Sequence, residues 1–204
     1  MSAELAVNFL SSRFNFPPGE QVKVTPRIQE IANQFASFQH MQQFELFHKW
    51  IFSTLKVLPY EESDLVTVED EARRRWKLTA DELVQVGTLY DGKYCNDVVS
   101  LFNSGMTALG YEARVAKVFK PNDKNEIIVH SISLVKTQHD SFCAINSGSE
   151  KFYWVEELSD ESPVQIRDWN VWKIGKDQWA MGLTDSSQEN STIIAYARNF
   201  LGLK

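Results

Sequence analysis

The chain has 204 residues, of which 43% are hydrophobic, 24% charged and 12% aromatic. That balance excludes an intrinsically disordered chain, and the length suffices for one core without disulfides or a structural metal. A net charge of −6 offers no basic field to a phosphate backbone, which disfavours nucleic-acid binding.

No apolar run reaches the roughly 18 residues needed to cross a bilayer. The opening MSAELAVNFLSSRF has no basic region of the kind that begins a signal peptide. With only Cys95 and Cys143, a disulfide scaffold is excluded and a reducing, cytoplasmic, membrane-free setting is expected. Neither repeats nor low-complexity tracts break the chain, so a single domain over 1–204 is expected.

In chain order, Thr25-Pro26 pairs a capping residue with a proline at the first helical position. Ile28, Ile31, Phe35 and Phe38, then Phe44, Phe47, Ile51 and Leu55, recur at helical spacing. Residues 26–56 are therefore expected to form two amphipathic helices stopped by Pro59, within a helical layer over 1–60. Residues 61–75 run acidic and then basic, from Glu61 to Arg73-Arg74-Arg75. Such a run reads as a solvated segment with its own ion pairs rather than as an anionic-ligand patch.

Thr79 to Glu82 is a capping box flanked by a Leu78–Leu83 staple, which predicts a short helix at 79–86. A turn at Tyr90–Tyr94 follows, and Cys95 opens a second helix with Val98, Val99, Phe102, Met106 and Leu109 on its buried face. Gly110 closes it. Beyond Gly110 the period changes to that of short antiparallel strands at 111–119, 126–136, 141–147 and 151–157. The turns between them are Pro121–Asp123, Gln138–Asp140 and Asn146–Gly148. A strand at 170–175 and an Asp185-capped helix to Leu201, stopped by Gly202, occupy 159–204. Helices followed by strands, without βαβ alternation, indicate an α+β architecture.

Chemistry concentrates on Cys95. At the start of a helix, backbone N–H groups and the positive end of the dipole favour a thiolate, and the same groups can stabilise an oxyanion. A thiol nucleophile needs a base and the base an orienter. His130 stands mid-strand in IIVHSISLV, an unusual place for an imidazole, and Asn146 ends the next strand, FCAIN. Antiparallel pairing can set the two side by side, where the amide oxygen fixes the imidazole tautomer. Asp140 is the reserve for the third position, but its place in the connecting turn argues against it. Cys143 should face away from Asn146 as a buried hydrophobe. His40 and His48 belong to no metal-ligand set, so packing or surface roles are expected. Trp169, Trp172 and Trp179 read as core or hairpin packing, with a cleft rim as the alternative.

The segment TADELVQVGTLYDGKYCNDVVSLFNSGMTALGYEARV, followed by IIVHSISLV and FCAIN, resembles the transglutaminase-like superfamily over about residues 78–158. The resemblance lies in Cys-x-Asp at a helix start, Ala-Leu-Gly-Tyr-x-Ala-Arg leading into a strand, and the order of the three segments. It implies a papain-like/transglutaminase-like core, with the Cys-bearing helix packed on an antiparallel sheet and Cys95, His130 and Asn146 as a catalytic triad. Asn146 stands where that family usually has aspartate, Tyr94 where a small residue precedes the cysteine, and Ser131 where an aromatic often follows the histidine.

The expected activity is that of a cysteine-dependent amide hydrolase or acyltransferase of peptidase or isopeptidase type. It would act on a protein or peptide substrate through a thioester, without cofactor or metal. Hydrolysis is favoured over cross-linking, since no acidic calcium loop is evident. The competing reading is a catalytically inactive scaffold that binds protein and retains the fold.

Overall fold

A computed structural model describes residues 16–74, 76–137, 141–158, 162–184 and 186–203. Helix α1 (Pro26–Asn33) starts where expected: Thr25 is extended and its hydroxyl accepts the Ile28 N–H. Helix α2 (His40–Thr54) buries Phe44, Phe47 and Ile51. Phe38 falls between the two helices and is exposed, unlike its periodic neighbours. Nor does α2 run on to Pro59. It ends at Thr54, and strand β1 (Lys56–Leu58) pairs in parallel with β2 (Thr88–Tyr90).

The acidic-then-basic segment is helical, α3 (Leu65–Arg74). Asp64 accepts the Val66 N–H at 3.0 Å and the Thr67 hydroxyl at 2.6 Å, and Asp70 pairs with Arg74. Those bonds hold the Asp64 carboxyl below its ordinary pKa, the Thr67 hydroxyl most of all. Helix α4 (Ala80–Val86) forms with the reciprocal Thr79–Glu82 box in place, and Gly87 takes the left-handed cap at φ +69.

Helix α5 (Cys95–Ala108) is enclosed on two sides, with every residue from Val98 to Met106 buried. Gly110 at φ +91 ends it, and the Tyr111 N–H returns to the Met106 carbonyl at 3.0 Å. On one side lie α1, α2 and α4, contributing Ile28, Phe44, Phe47, Ile51 and Leu83. On the other lies a six-stranded antiparallel sheet in the order β6-β5-β4-β3-β8-β7. Its strands are β3 (Ala113–Pro121), β4 (Ile127–Lys136), β5 (Phe142–Asn146), β6 (Tyr153–Leu158), β7 (Gln165–Ile166) and β8 (Trp169–Gly175).

Alternation along β3 sorts the sheet into two faces. Val115 and Phe119 pack toward α5 and helix α6 (Ser186–Leu201), where Ile193 and Ala197 meet them. Ala116 and Val118 join Ile132, Leu134 and Ala144 on the far face, under Ile166 and Trp169. The architecture is α+β, as the order of elements implied. The Gln138–Asp140 turn and the Asp185 cap lie outside the described residues. No described helix is long and apolar enough to cross a membrane.

Helix α5 approaches α2 through Gly105, where an added Cβ would fall 2.1 Å from Phe47 Cζ. Gly105→Ala is therefore expected to destabilise the fold by about 1–3 kcal/mol through overpacking, despite the better helix propensity of alanine. Urea unfolding measures it, and an unchanged midpoint would contradict the close α2–α5 seating.

Candidate active site

Cys95 is the first residue of α5, half-buried, and no side-chain bond from Tyr94 caps the helix above it. The positive end of the dipole therefore lies at the thiol-bearing residue. His130 stands on β4 beyond the reach of β5, whose pairing with β4 stops at Ser133–Ile145. That overhang leaves the imidazole at the open end of the strand pair. Asn146 closes β5, and its Oδ1 accepts a hydrogen bond from His130 Nε2 at 2.7 Å. An amide oxygen only accepts, so Nε2 carries the proton and Nδ1 of the neutral ring keeps its lone pair.

Cys95, His130 and Asn146 line one cleft of about 390 Å³, together with Tyr94, Gly148 and Trp169. The Trp169 ring lies 5.5 Å from the imidazole at 35°, which limits the ring's freedom to turn. Lys120 Nζ sits 4.3 Å from the Trp169 ring centre and bonds Asp168 at 2.6 Å, and this bond holds the Asp168 carboxyl below its ordinary pKa. Clefts of about 450 and 420 Å³ open elsewhere, near His40 and near Thr107, but neither is lined by a cysteine. What distinguishes the 390 Å³ cleft is that a thiol, an imidazole and an amide all line it, which makes it the candidate.

The other residues singled out from sequence lie apart. Cys143 is buried on the α5 side of the sheet, where desolvation, with the Glu157 charge, pushes its thiol up to about 12. Ser131 does not line the cleft: it is fully buried on the face opposite His130. Asp140 lies outside the described residues. Of the tryptophans, Trp172 packs toward α6, and Trp179 donates to the Trp76 carbonyl at 2.5 Å. Among the described residues no three His, Cys, Asp or Glu side chains gather as a metal site.

Two contacts made by the turn after β5 were not legible in the sequence, one with Cys95 and one with His48, whose burial agrees with the packing role expected for it. An added Cβ on Gly148 would lie 3.0 Å from the Cys95 carbonyl oxygen and 3.1 Å from Cys95 Cβ, so the turn after β5 rests directly on the nucleophile candidate. His48 is buried in α2, and its Nε2 donates to the Ser149 carbonyl at 2.7 Å. Asn146–Gly148 was legible only as a turn tripeptide, and the partner of His48 lies a hundred residues away in sequence.

No family model and no curated protein sequence matches the chain. Among solved structures it is similar to a Cytophaga hutchinsonii protein described as a "putative cysteine protease", with a TM-score of 0.51 and 10% identity. The match covers 90% of this chain and 50% of the other, so the chain spans about half that protein's length. At that identity the similarity concerns the fold.

Two outcomes follow from the turn. Burial holds the His48 imidazole below its ordinary pKa of 6.5, against the opposing effect of its backbone bonds. The unfolded chain then accepts a proton that the folded protein refuses, so stability is lost as pH falls through about 6.5. Relative to His48→Gln, the unfolding free energy should decline from about pH 7.5 to 5, by no more than about 1.4 kcal/mol per pH unit. A pH-independent difference would show that burial does not disfavour the charged ring. Separately, Gly148→Ala should slow alkylation of Cys95 by about tenfold while leaving the protein folded, because its methyl displaces the thiol-bearing residue. An unchanged alkylation rate would contradict that contact.

Proposed function

We propose that the protein is a cysteine-dependent amide hydrolase or acyltransferase of peptidase or isopeptidase type, built on a papain-like/transglutaminase-like core. The observation that carries the reading is the 2.7 Å His130–Asn146 bond in a cleft that Cys95 also lines at the start of a helix. The similarity in fold to a protein described as a cysteine protease agrees with it.

In this reading the lone pair of His130 Nδ1 takes the Cys95 thiol proton, and the resulting thiolate attacks the carbonyl carbon of an amide. The negative charge that develops on the carbonyl oxygen is met by the Cys95 backbone N–H at the positive end of α5. As the C–N bond breaks, the imidazolium returns its proton to the departing amine, leaving a thioester on Cys95. Water, deprotonated by the same imidazole, then releases the acid; an amine in its place gives transamidation. Asn146 holds Nε2–H throughout and keeps the ring aligned. Its amide is neutral, so it orients an imidazolium without the Coulombic support of a carboxylate. The substrate is proposed to be a protein or peptide, since the thioester route needs only an accessible amide. Tyr94, which lines the cleft where the resembled family has a small residue before the cysteine, motivates the second reading, a non-catalytic scaffold that binds protein.

The two readings part on the thiol. Cys143 is buried with its thiol pushed up to about 12, so native alkylation by iodoacetamide reports Cys95. The catalytic reading expects Cys95 to react at neutral pH with a midpoint below the ordinary thiol value of about 8.5. It also expects His130→Ala to raise that midpoint and slow the reaction by about tenfold or more, with Asn146→Ala intermediate. An ordinary midpoint, insensitive to His130→Ala, would favour the scaffold.

A further inference from the structure

Lys117 has no solvent exposure. It stands on β3 directly opposite Ser131 of β4, so both side chains leave the sheet toward α5. There Lys117 Nζ donates to Ser131 Oγ at 2.9 Å and to Asn96 Oδ1 at 3.0 Å. Ser131 Oγ donates to the same Asn96 oxygen at 2.5 Å, and Gln178 Nε2 reaches it at 3.4 Å. The ammonium also lies 4.5 Å from the centre of the Trp76 ring, itself fully buried.

The placement of these partners is what matters. Asn96 directly follows Cys95, and Ser131 directly follows His130. One buried cation therefore bonds the residue after the thiol and the residue after the imidazole. Away from the start of α5, the helix meets the sheet mostly through apolar side chains such as Val98, Val99, Val115 and Val135, with one further directional bond, from Asn103 Nδ2 to the Arg114 carbonyl at 3.0 Å. Apolar contact is non-directional and tolerates sliding, whereas a hydrogen bond weakens steeply with misalignment. Stability by itself does not account for a lysine here, because an apolar side chain of similar volume avoids the desolvation cost of a buried charge.

We propose that Lys117 is a positioning residue. With Asn96 and Ser131 it fixes the start of α5 against β4, and so sets the distance and direction of Cys95 relative to His130. The inference rests on the reading of Cys95 and His130 as a nucleophile–base pair.

The test is Lys117→Met, an uncharged side chain of similar length, read by iodoacetamide alkylation of Cys95 across pH together with thermal unfolding. The expected result is a folded protein of equal or higher melting temperature that reacts about tenfold more slowly at neutral pH. Its midpoint should be raised by about one unit. In a His130→Ala background the same substitution should change neither rate nor midpoint, since there is no longer an imidazole to align. A folded Lys117→Met protein with wild-type rate and midpoint overturns the proposal. An equal shift in both backgrounds also overturns it, by assigning the effect to the charge alone. If Lys117→Met does not fold, Ser131→Ala decides: the same His130-dependent shift supports the proposal and no shift overturns it. Failure of the catalytic reading is seen separately, as a wild-type thiol indifferent to His130→Ala.

Discussion

The turn that leaves β5 ties the site to the fold one residue at a time. Asn146 accepts from His130 on β4, the Ser147 hydroxyl meets that of Ser133 on β4 at 2.6 Å, Gly148 rests on Cys95 of α5, and Ser149 accepts from His48 of α2. His130 and Ser133 project from opposite faces of β4, so the turn has to wrap around the open end of the strand pair. This is how a histidine on the far face of the sheet and a cysteine on a helix packed against the near face come to share a cleft. The truncation of β5 relative to β4 makes room for the crossing, and the absence of a Cβ at Gly148 lets it pass close to Cys95.

Helix α5 carries the second half of that arrangement. Its interior face is not uniformly apolar: Asn96, Ser100, Asn103 and Ser104 are buried along it. Each buried polar group has to find a partner or destabilise the fold by about 1–3 kcal/mol. Asn103 Nδ2 donates to the Arg114 carbonyl at 3.0 Å, and Ser104 Oγ to the Lys23 carbonyl at 3.2 Å. Asn96 answers to Lys117 and Ser131. The helix is thus fixed in rotation and height by directional bonds near both ends, while its hydrophobic residues supply the bulk of the favourable burial. A thiol at the first position of a helix so constrained has little freedom to drift.

Local chemistry was legible in the sequence and remote partnership was not. Thr25 and Thr79 cap the helices they announce, because capping depends only on residues within one turn. Strands β3 to β6 and β8 were visible from their runs of β-branched and aromatic residues, and the Cys95 helix from its apolar spacing and Gly110. Helix α3 was not legible because its apolar stripe is short, Leu65, Val68 and Ala72 in a run otherwise dense in charge, and its one buried residue is Glu71. Strands β1 and β2 are three residues each and pair in parallel across some thirty residues of chain, below what periodicity detects. That His130 and Asn146 would meet could be anticipated from the adjacency of the two strands, but not how: the β4–β5 ladder stops at Ser133–Ile145, and the two side chains meet beyond its end. One signal stood open: Val115, Lys117 and Phe119 alternate onto one face, and a lysine between two buried hydrophobes asks for a buried partner.

The two cysteines show how position decides chemistry. Cys143 lies in the interior of β5, with Val135 opposite it on β4 and the α5 core above, and loss of water drives its thiol far from ionisation. Cys95 has the same side chain at the start of a helix, half-buried at the edge of a cleft, with a tautomerically fixed imidazole lining the same space. Ionisation of a thiol depends on what meets the resulting charge: an apolar strand interior offers nothing, and the end of a helix offers aligned backbone dipoles. The fold spends its polar contacts accordingly. The bonds of Lys117, Ser131, Ser147 and His48 are made at the start of α5 and at the turn beside it, whereas Cys143 is held by the strand ladder and by apolar packing around its side chain. The surroundings of the two cysteines thus differ in kind: apolar packing encloses Cys143, and directional bonds gather on the side of Cys95.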